Sequence, residues 1–512
     1  MANWSEGYIS DIDYTYGYYS ELNPHNVKIP FLMAGLEAPT FKAACELGFG
    51  QGVSINAHSA ASNVAWYGTD FNPSQASFAQ ELTDISGSNA HIYDQSFAAF
   101  CQREDLPDFD FIGLHGIWSW VSNDNRKIIT DFIRRKLKVG GVLYISYNTL
   151  PGWAAASPIR HMLTEHDHMH GSRGQGMSKR VKASIEFTQD LLKLCQPLVQ
   201  QVPSMPQRLD NISQQNPNYL AHEYFNRDWQ PMYFSEMADW LSPTKTNFAC
   251  STSFLEDYAL CNYTNEQSEF LSTIDDPVFE QSVKDYMHNK QFRRDYWVKG
   301  ARQISSAKSE QTWHQLRFML IENTKDIKYE INGLAGAVTL REDIYKQIIE
   351  LLSDYKIHRV ADLQQQLPDD FKQTWLFESL AILHSQGAIV LVQEDEVIKS
   401  VKEKCDKLNV YVMQQSLVSP ELKALVSPLT GGAMTFERFS LIFLHAYIQG
   451  KNNKADWVDY AWQVLKKNNQ LLLKDGNTLR EEKDNIQELK EMADRFEEDI
   501  LPVVKRLQIV EL

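Results

Sequence analysis

One acidic residue and three glycines are regularly spaced in the segment ELGFGQG, residues 46–52. Glu46 precedes Gly48, Gly50 and Gly52, and a second apolar run ends at Asp70. Glycines let the backbone approach a ligand closely, and an acidic side chain about 20 residues further on can bind two ribose hydroxyls. The pattern predicts a strand–loop–helix–strand unit that binds a nucleoside.

The glycine spacing does not match two common nucleotide-binding motifs. A dinucleotide fingerprint requires G-x-G-x-x-G, but Val53 stands five positions beyond Gly48 and Ile55 five beyond Gly50. The sequence also lacks G-x-x-x-x-G-K-[ST]. The pattern therefore excludes NAD and a nucleoside triphosphate as the expected ligands.

Further apolar runs predict a third, fourth and fifth strand, with the fifth following a KVGG turn. Ligands in open α/β sheets bind beyond the carboxyl ends of the parallel strands. Residues just past those ends are therefore candidate site residues. They are Asp94, Gln95, His115, Gly116, Tyr147, Asn148 and Trp153.

The sequence E-x-G-x-G-x-G that begins at Glu46 resembles motif I of class I S-adenosylmethionine-dependent methyltransferases. The resemblance implies a Rossmann-like α/β sheet and S-adenosylmethionine as cofactor, with Glu46 facing the ammonium of its amino-acid part. It also implies that Asp94 and Gln95 lie near the adenine amino group. The expected cofactor-binding residues are Glu46, Gly48, Gly50, Gly52, Asp70, Phe71, Asp94, Gln95, His115 and Tyr18.

Motifs beyond the glycine turn narrow the acceptor of the methyl group. After the fourth strand, HGIWSW replaces the D/N-P-P-Y sequence of enzymes that methylate base amines, and it contains no nucleophilic cysteine. The stretches YTYGYYSELNP, YNTLPGW and YLAHEYFNRDWQPMYFSEMADWL resemble bacterial proteins that join a class I methyltransferase to a methyltransferase regulatory domain. Some members of that group methylate lysines of surface and outer-membrane proteins. The resemblance implies a protein substrate presenting lysine.

Aromatic residues near the predicted site suit such an acceptor. A lysine must lose its proton before it accepts a methyl group, and burial between aromatic rings assists this while still attracting the cation. We expect Trp118, Trp120, Tyr147 and Trp153 to line the acceptor channel, and Tyr16, Tyr18 and Tyr19 to form a lid over the cofactor. His115 either relays the proton or contacts the cofactor, and the second role is favoured. The candidate catalytic residues are His115, Tyr147, Trp118 and Trp153.

Composition sets the wider limits. The chain has 512 residues and a formal net charge of −16, which argues against nucleic acid or an anionic membrane as its main partner. No apolar run approaches the ~20 residues of a membrane span, and the start of the chain has no signal-peptide pattern. The six cysteines form no CxxC pair. We expect a cytoplasmic protein that is not embedded in a membrane.

The elements that position these residues suggest an α/β methyltransferase domain with a helical insertion, followed by mainly helical middle and C-terminal domains. The predicted ranges are 1–154 and 216–262 for the methyltransferase domain and 155–215 for the insertion, which is a candidate dimerisation element. A winged-helix-like regulatory domain is expected at 263–400 and a helical domain at 401–512.

Two further interpretations concern metals and alternative activities. His161, His166, His168 and His170 lie close in sequence, but nothing nearby completes a metal site and methyl transfer needs no metal, so we expect none. Other functions compatible with the sequence are methylation of a small molecule or lipid, and a non-catalytic scaffold that retains the cofactor site. About 250 residues beyond the catalytic fold favour a macromolecular substrate.

Overall fold

A computed structural model describes residues 7–9 and 15–510, and its largest element is a sheet of seven strands in the order β3-β2-β1-β4-β5-β7-β6. β1 to β5 are parallel, whereas β7 runs antiparallel to both β5 and β6. The strands are β1 Ala43–Leu47, β2 Ala65–Asp70, β3 Ala90–Asp94, β4 Phe109–Leu114, β5 Leu137–Asn148, β6 Thr246–Ser251 and β7 Phe292–Lys299. The expected class I methyltransferase fold is confirmed.

Both faces of this sheet are covered, which explains the continuous apolar runs in its strands. Successive residues of β5 alternate between two cores: Leu143 and Ile145 pack on one side, and Val142 and Tyr144 on the other. The helices of this part are α1 Lys28–Met33, α2 Val53–Ala61, α3 Pro73–Ser86, α4 Phe97–Cys101 and α5 Asn123–Lys136.

The predicted insertion is helical, and its packing extends past the predicted end at residue 215. Its elements share one core with Leu220 and Ala221, so the segment that follows belongs to the same bundle. The helices are α6 Ser157–His170, α7 Met177–Leu194, α8 Gln196–Gln201, α9 Met205–Ser213 and α10 Pro217–Tyr224.

The predicted boundary of the sheet domain at residue 262 is wrong, because β7 lies at 292–299 and sits between β5 and β6. Helices connect β6 to β7, so the sheet domain and the start of the predicted middle domain form one unit. The helices from just before β6 to just after β7 are α11 Phe234–Leu241, α12 Phe254–Asp257, α13 Ala259–Asn262, α14 Asn265–Leu271, α15 Pro277–His288 and α16 Ser306–Gln315.

A second core follows, built mainly from three helices and a three-stranded sheet of order β11-β8-β12, with Ile29 and Leu32 of α1 and Trp313 of α16 packed into it. This order of short strands and helices fits the winged-helix-like expectation. The elements are β8 Arg317–Leu320, the hairpin of β9 Glu330–Gly333 and β10 Gly336–Thr339, α17 Glu342–Leu352, β11 His358–Arg359, α18 Val360–Gln366, α19 Gln373–Ser385 and β12 Ile389–Leu391.

The C-terminal part is helical, as predicted, but the predicted boundary at residue 400 cuts through its first helix. Its elements are α20 Asp395–Gln415, the hairpin of β13 Ala424–Ser427 and β14 Gly432–Thr435, α21 Arg438–Ile448, α22 Lys454–Lys467, the hairpin of β15 Leu473–Lys474 and β16 Asn477–Thr478, α23 Glu482–Arg495 and α24 Leu501–Arg506. Val401 and Leu408 of α20 share a core with Val53 and Ala57 of α2. The C-terminal domain therefore packs directly on the sheet domain.

None of the helices within residues 7–9 and 15–510 combines the length and the apolar character needed to cross a bilayer.

Candidate active site

The glycine turn joins the carboxyl end of β1 to α2. Gly48 and Gly52 adopt φ angles of 74° and 70°, which favour glycine over any residue with a Cβ. A Cβ on Gly52 would lie 2.4 Å from the Cβ of Ala79 in α3, and one on Gly48 would lie 2.5 Å from the Ile117 side chain. The turn therefore needs glycine for its backbone angles and for its close packing.

Asp70, the last residue of β2, is tied to this turn. Its carboxylate accepts hydrogen bonds from the backbone N–H of Gly50 at 2.9 Å and of Asn72 at 3.0 Å. Burial raises the pKa of Asp70 to about 6, while these two N–H donors oppose the shift. Each carboxylate oxygen keeps a lone pair for another donor, so Asp70 can bind a pair of hydroxyl groups.

Glu46 lies in β1 next to Asp70 and is buried. Among the described residues, no group hydrogen-bonds its Oε2 atom. Burial, and then the nearby charge of Asp70, raise the pKa of Glu46 to about 8. A buried carboxyl oxygen without a partner is costly. The position suits a ligand that brings a positive charge or an N–H donor.

A cleft opens at the carboxyl ends of these strands, and seven of the ten predicted cofactor residues line it. They are Glu46, Gly48, Gly50, Asp70, Phe71, Gln95 and His115. The Oε1 atom of Gln95 is also buried without a hydrogen-bond partner among the described residues. Tyr8, Tyr19, Phe97 and Trp120 complete much of the wall.

Three of the predicted cofactor residues do not line the cleft. Gly52 is behind the turn against α3, and Asp94 is exposed at the end of β3, paired in register with Asp70. Tyr18 points away from the cleft, with its ring 5.3 Å from His58 of α2 and its hydroxyl at the backbone of Ala433 in the C-terminal domain. The tyrosines predicted to form a lid therefore do not all face the cleft, because successive residues of the extended segment face opposite sides.

Tyr19, unlike Tyr18, lines the cleft. Its ring stacks on the imidazole of His115 with centroids 3.6 Å apart. Its backbone N–H donates to Ser54 Oγ of α2 at 2.9 Å. Tyr16 packs away from the cleft, edge-on to Phe78 at 5.2 Å.

His115 stands just past the end of β4, with Nδ1 2.7 Å from the Tyr144 hydroxyl. Burial lowers the pKa of His115 to about 4, although the charge of Glu21 opposes the shift. The imidazole is therefore neutral near pH 7 and a poor acceptor for the proton of an ammonium group. Its geometry fits a contact role.

A second cavity continues from the cleft and shares Tyr8, Tyr19, His115, Gly116 and Trp120 with it. We call this second space the acceptor cavity. Its remaining lining residues are Asn148, Trp153, Tyr219, His222, Glu223, Gln291 and Phe292. It therefore combines aromatic walls with a carboxyl group, at the junction of β5, β7 and α10.

Trp118 and Tyr147, two of the predicted catalytic residues, are in the core of the sheet domain instead of the cavity wall. Trp118 donates from Nε1 to Met232 Sδ at 3.4 Å, and Tyr147 donates to Asp295 Oδ2 at 3.1 Å. Neighbouring residues of a strand point to opposite faces. Asn148, one position beyond Tyr147, faces the acceptor cavity.

Tyr8 and three residues of α10 were not predicted as site residues. Tyr219, His222 and Glu223 are spaced i, i+3 and i+4, so they share one face of the helix. This spacing, visible in YLAHEY, could have identified the three residues from the sequence. The sequence around Tyr8 contains no comparable pattern. Tyr8 links the two cavities, because its ring lies 5.6 Å from Phe71 and 5.5 Å from His222.

The histidines of the insertion lie on α6. The rings of His166 and His170 have centroids 5.1 Å apart, and His161 pairs with Glu165 at 3.3 Å. In the part of the chain that the structure describes, no three His, Cys, Asp or Glu side chains are placed to hold a metal ion.

Comparisons with known proteins agree with this architecture. Residues 216–299 match the family described as "Predicted methyltransferase regulatory domain". The uncharacterized protein sll1526 of Synechocystis is 35% identical over 512 residues, 99% of either chain. The uncharacterized protein RP789 of Rickettsia prowazekii is 26% identical over 286 residues, 54% of this chain and 49% of that protein. PKMT2 from Rickettsia typhi, solved in complex with AdoHcy, shares the fold with a TM-score of 0.70 and 16% identity, over 97% of this chain and 100% of that one.

Proposed function

We propose that this chain, which belongs to the same family as the Synechocystis protein sll1526, methylates lysine side chains of a protein. It has the fold of class I S-adenosylmethionine-dependent methyltransferases joined to a methyltransferase regulatory domain. One observation carries the proposal. The cofactor cleft opens at His115 and Tyr19 into an aromatic acceptor cavity that contains a carboxyl group.

The residues present fit S-adenosylmethionine, which when bound supplies an electrophilic methyl group on a sulfonium. Glu46 has a buried oxygen that no described residue hydrogen-bonds, and this oxygen suits the ammonium of the cofactor's amino-acid part. Asp70 has lone pairs for the ribose hydroxyls, and the Gln95 amide oxygen, which has no hydrogen-bond partner in the part of the chain that the structure describes, suits the adenine amino group. The stacked rings of neutral His115 and Tyr19 line the cleft at the end where the two cavities meet.

The acceptor cavity suits the amine of lysine. Methyl transfer to an amine is an in-line displacement, which the protein promotes by alignment and by removing water. Trp120, Trp153 and Tyr219 can surround an unbranched side chain and attract its cation. The net charge of −16 favours a substrate segment that carries positive charge. By the resemblance of its flanking motifs, surface and outer-membrane proteins are the proposed substrates.

Labelled S-adenosylmethionine and fractionated extract from the source cells test this function. We expect label in protein bands, and mass spectrometry of those bands should place methyl groups on lysine. Label confined to a lipid or small metabolite would favour the alternative methyltransferase. Cofactor binding without any S-adenosylhomocysteine formation, across all fractions, would instead favour the scaffold.

We also propose that the chain forms a homodimer through the insertion. Met169 and Leu194 expose 69% and 81% of their surface there, and Phe187 is exposed as well. Leu194→Glu should weaken the dimer by at least about tenfold, since a buried unpaired charge at an interface is costly. Sedimentation of the wild type and this variant tests the proposal, with exposed Leu473→Glu of the C-terminal domain as control. A monomeric wild type would contradict it.

A further inference from the structure

The acceptor cavity contains one side chain whose chemistry goes beyond binding. Of the described residues that line it, Glu223 alone carries a carboxyl group. Its backbone carbonyl accepts a hydrogen bond from Trp120 Nε1 at 3.3 Å, and Trp120 lines both the cleft and the acceptor cavity. The position of Glu223 is therefore tied to the junction where the two spaces meet.

Glu223 is half-buried in a setting of mixed polarity. Burial raises the pKa of this carboxyl to about 7, while Asn148 and the positive charge of Arg160 oppose the shift. Arg160 is itself fixed, because its guanidinium donates to the Asn226 carbonyl and lies 4.6 Å from the centre of the Trp229 ring. A carboxyl that exchanges its proton near neutrality can serve as a base.

Among the described residues, the other titratable groups around Glu223 include tyrosines, His222 and His115. Tyr8 faces it from the N-terminal segment, and Tyr219 and Tyr224 face it from its own helix. Burial raises the pKa of all three tyrosines, so they are neutral at physiological pH. The charges of Asp70 and Glu223 both raise the pKa of Tyr8, because Tyr8 lies between the cofactor cleft and the Glu223 carboxyl.

We propose that Glu223 is a catalytic residue that binds the lysine ammonium in the acceptor cavity and accepts its proton. This assignment rests on the proposed function. One N–H bond of the ammonium breaks, its electron pair stays on nitrogen, and the proton moves to the Glu223 carboxylate. The freed lone pair then forms the N–C bond to the methyl carbon, while the electrons of the C–S bond leave with sulfur. Glu223 returns its proton to solvent when the product leaves.

The geometry disfavours His115, the histidine predicted from the sequence, as the base. His115 is engaged by the Tyr144 hydroxyl and stacked on Tyr19, and its depressed pKa leaves it little basicity. Glu46 and Asp70 line the cofactor cleft and are absent from the lining of the acceptor cavity.

Single-turnover methylation of an acetylated peptide library with one lysine per peptide tests the assignment. The wild-type rate should rise as the pH passes about 7, because the Glu223 carboxyl loses its proton there and can then accept the proton of the lysine ammonium. In Glu223→Gln the rate at pH 7.5 should fall at least about 100-fold, and its rise should move toward the ordinary pKa of lysine, about 10.4. A purely structural role would lower the rate without moving this profile.

Two controls keep the outcomes separate. Glu186→Gln makes the same chemical change on the exposed face of α7 and should match the wild type. Calorimetry on the S-adenosylhomocysteine complex should show n-butylammonium binding at least tenfold more weakly to Glu223→Gln, with 1-pentanol binding unchanged. A Glu223→Gln rate within threefold of wild type, with the same pH profile, overturns the assignment. If the wild type methylates no lysine, the proposed function fails, and equal butylammonium binding by both proteins then overturns the role of Glu223 as well.

Discussion

The carboxylate of Asp70 has two roles. It fixes the glycine turn by accepting from Gly50, and it faces the cleft where a ribose would bind. Asp70→Ala should weaken S-adenosylhomocysteine binding by roughly 1.5 to 3 kcal/mol through lost charge-assisted hydrogen bonds. Calorimetry measures this directly. Asp84→Ala, on the exposed side of α3, is the matched control, and an unchanged affinity in Asp70→Ala would reject the ribose assignment.

A substitution at Trp153 should distinguish acceptor binding from cofactor binding. It lines the acceptor cavity but not the cofactor cleft, and its ring packs against Trp229 at 5.2 Å. Trp153→Ala should lower lysine methylation tenfold or more, at least ~1.4 kcal/mol, because the amine loses an apolar wall. The affinity for S-adenosylhomocysteine should stay within twofold. Trp153→Phe retains an aromatic face and should keep most of the activity; equal losses of methylation and cofactor affinity would contradict this division.

Residue types near strand ends were predictable, but the direction of each side chain was less so. Glu46, Asp70, Gln95 and His115 reach the cleft because the carboxyl ends of parallel strands converge. Tyr147 was a reasonable aromatic candidate, yet the sheet turns it into the core. A shift of one residue along a strand reverses its face, and the sequence does not state where the pleat begins.

At the scale of elements, β7 shows what sequence patterns could not reveal. Arg293, Arg294 and Asp295 give this strand a charged appearance. Arg293 and Asp295 are buried and Arg294 is half-buried. The arginines have partners in other segments: Arg293 pairs with Asp285 at 2.6 Å and Arg294 with Glu21 at 2.6 Å. β1 to β5 were predictable from the apolar runs of their own residues. β7 required knowledge of tertiary ion pairs.

The extended segment of residues 15–19 connects the cofactor cleft to the C-terminal domain. Thr15, Gly17 and Tyr19 line the cleft, whereas Tyr18 contacts the hairpin of β13 and β14. Nearby, Asn23 donates to the Thr430 carbonyl at 3.1 Å in the same hairpin turn. The C-terminal domain therefore helps to hold one wall of the cleft.

We expect Tyr18→Ala to weaken S-adenosylhomocysteine binding at least about fivefold, although Tyr18 does not line the cleft. Its loss removes a hydrogen bond of ~1 kcal/mol and packing that keep Tyr19 over His115. Tyr18→Phe, which loses only the hydroxyl, should have a smaller effect. Tyr286→Ala, at an exposed position, serves as control in the same calorimetric titration. If Tyr18→Ala binds like the wild type, Tyr19 holds its place without this anchor.

At the scale of the whole molecule, the sheet domain and the C-terminal domain share a core. Gln393 Nε2 donates to the Ala61 carbonyl at 2.8 Å, and Cys405 Sγ lies 3.6 Å from the Ala60 carbonyl. α2 therefore begins at the glycine turn of the cofactor cleft, and the C-terminal domain packs along its side. Groups packed into one core tend to open together.

This shared core predicts that a ligand in the cleft protects a helix that never touches it. S-adenosylhomocysteine should slow amide hydrogen exchange in α20 as well as in α2, because a ligand that binds only the folded state stabilises the whole cooperative unit. Leu408→Ala should speed exchange in both helices, since removing a buried leucine side chain costs about 2 to 5 kcal/mol. Mass spectrometry of exchanged peptides resolves the two segments, and exposed Val410→Ala of α20 is the control. Protection confined to α2, with α20 exchanging at its ligand-free rate, would show that the C-terminal domain opens independently of the cofactor site.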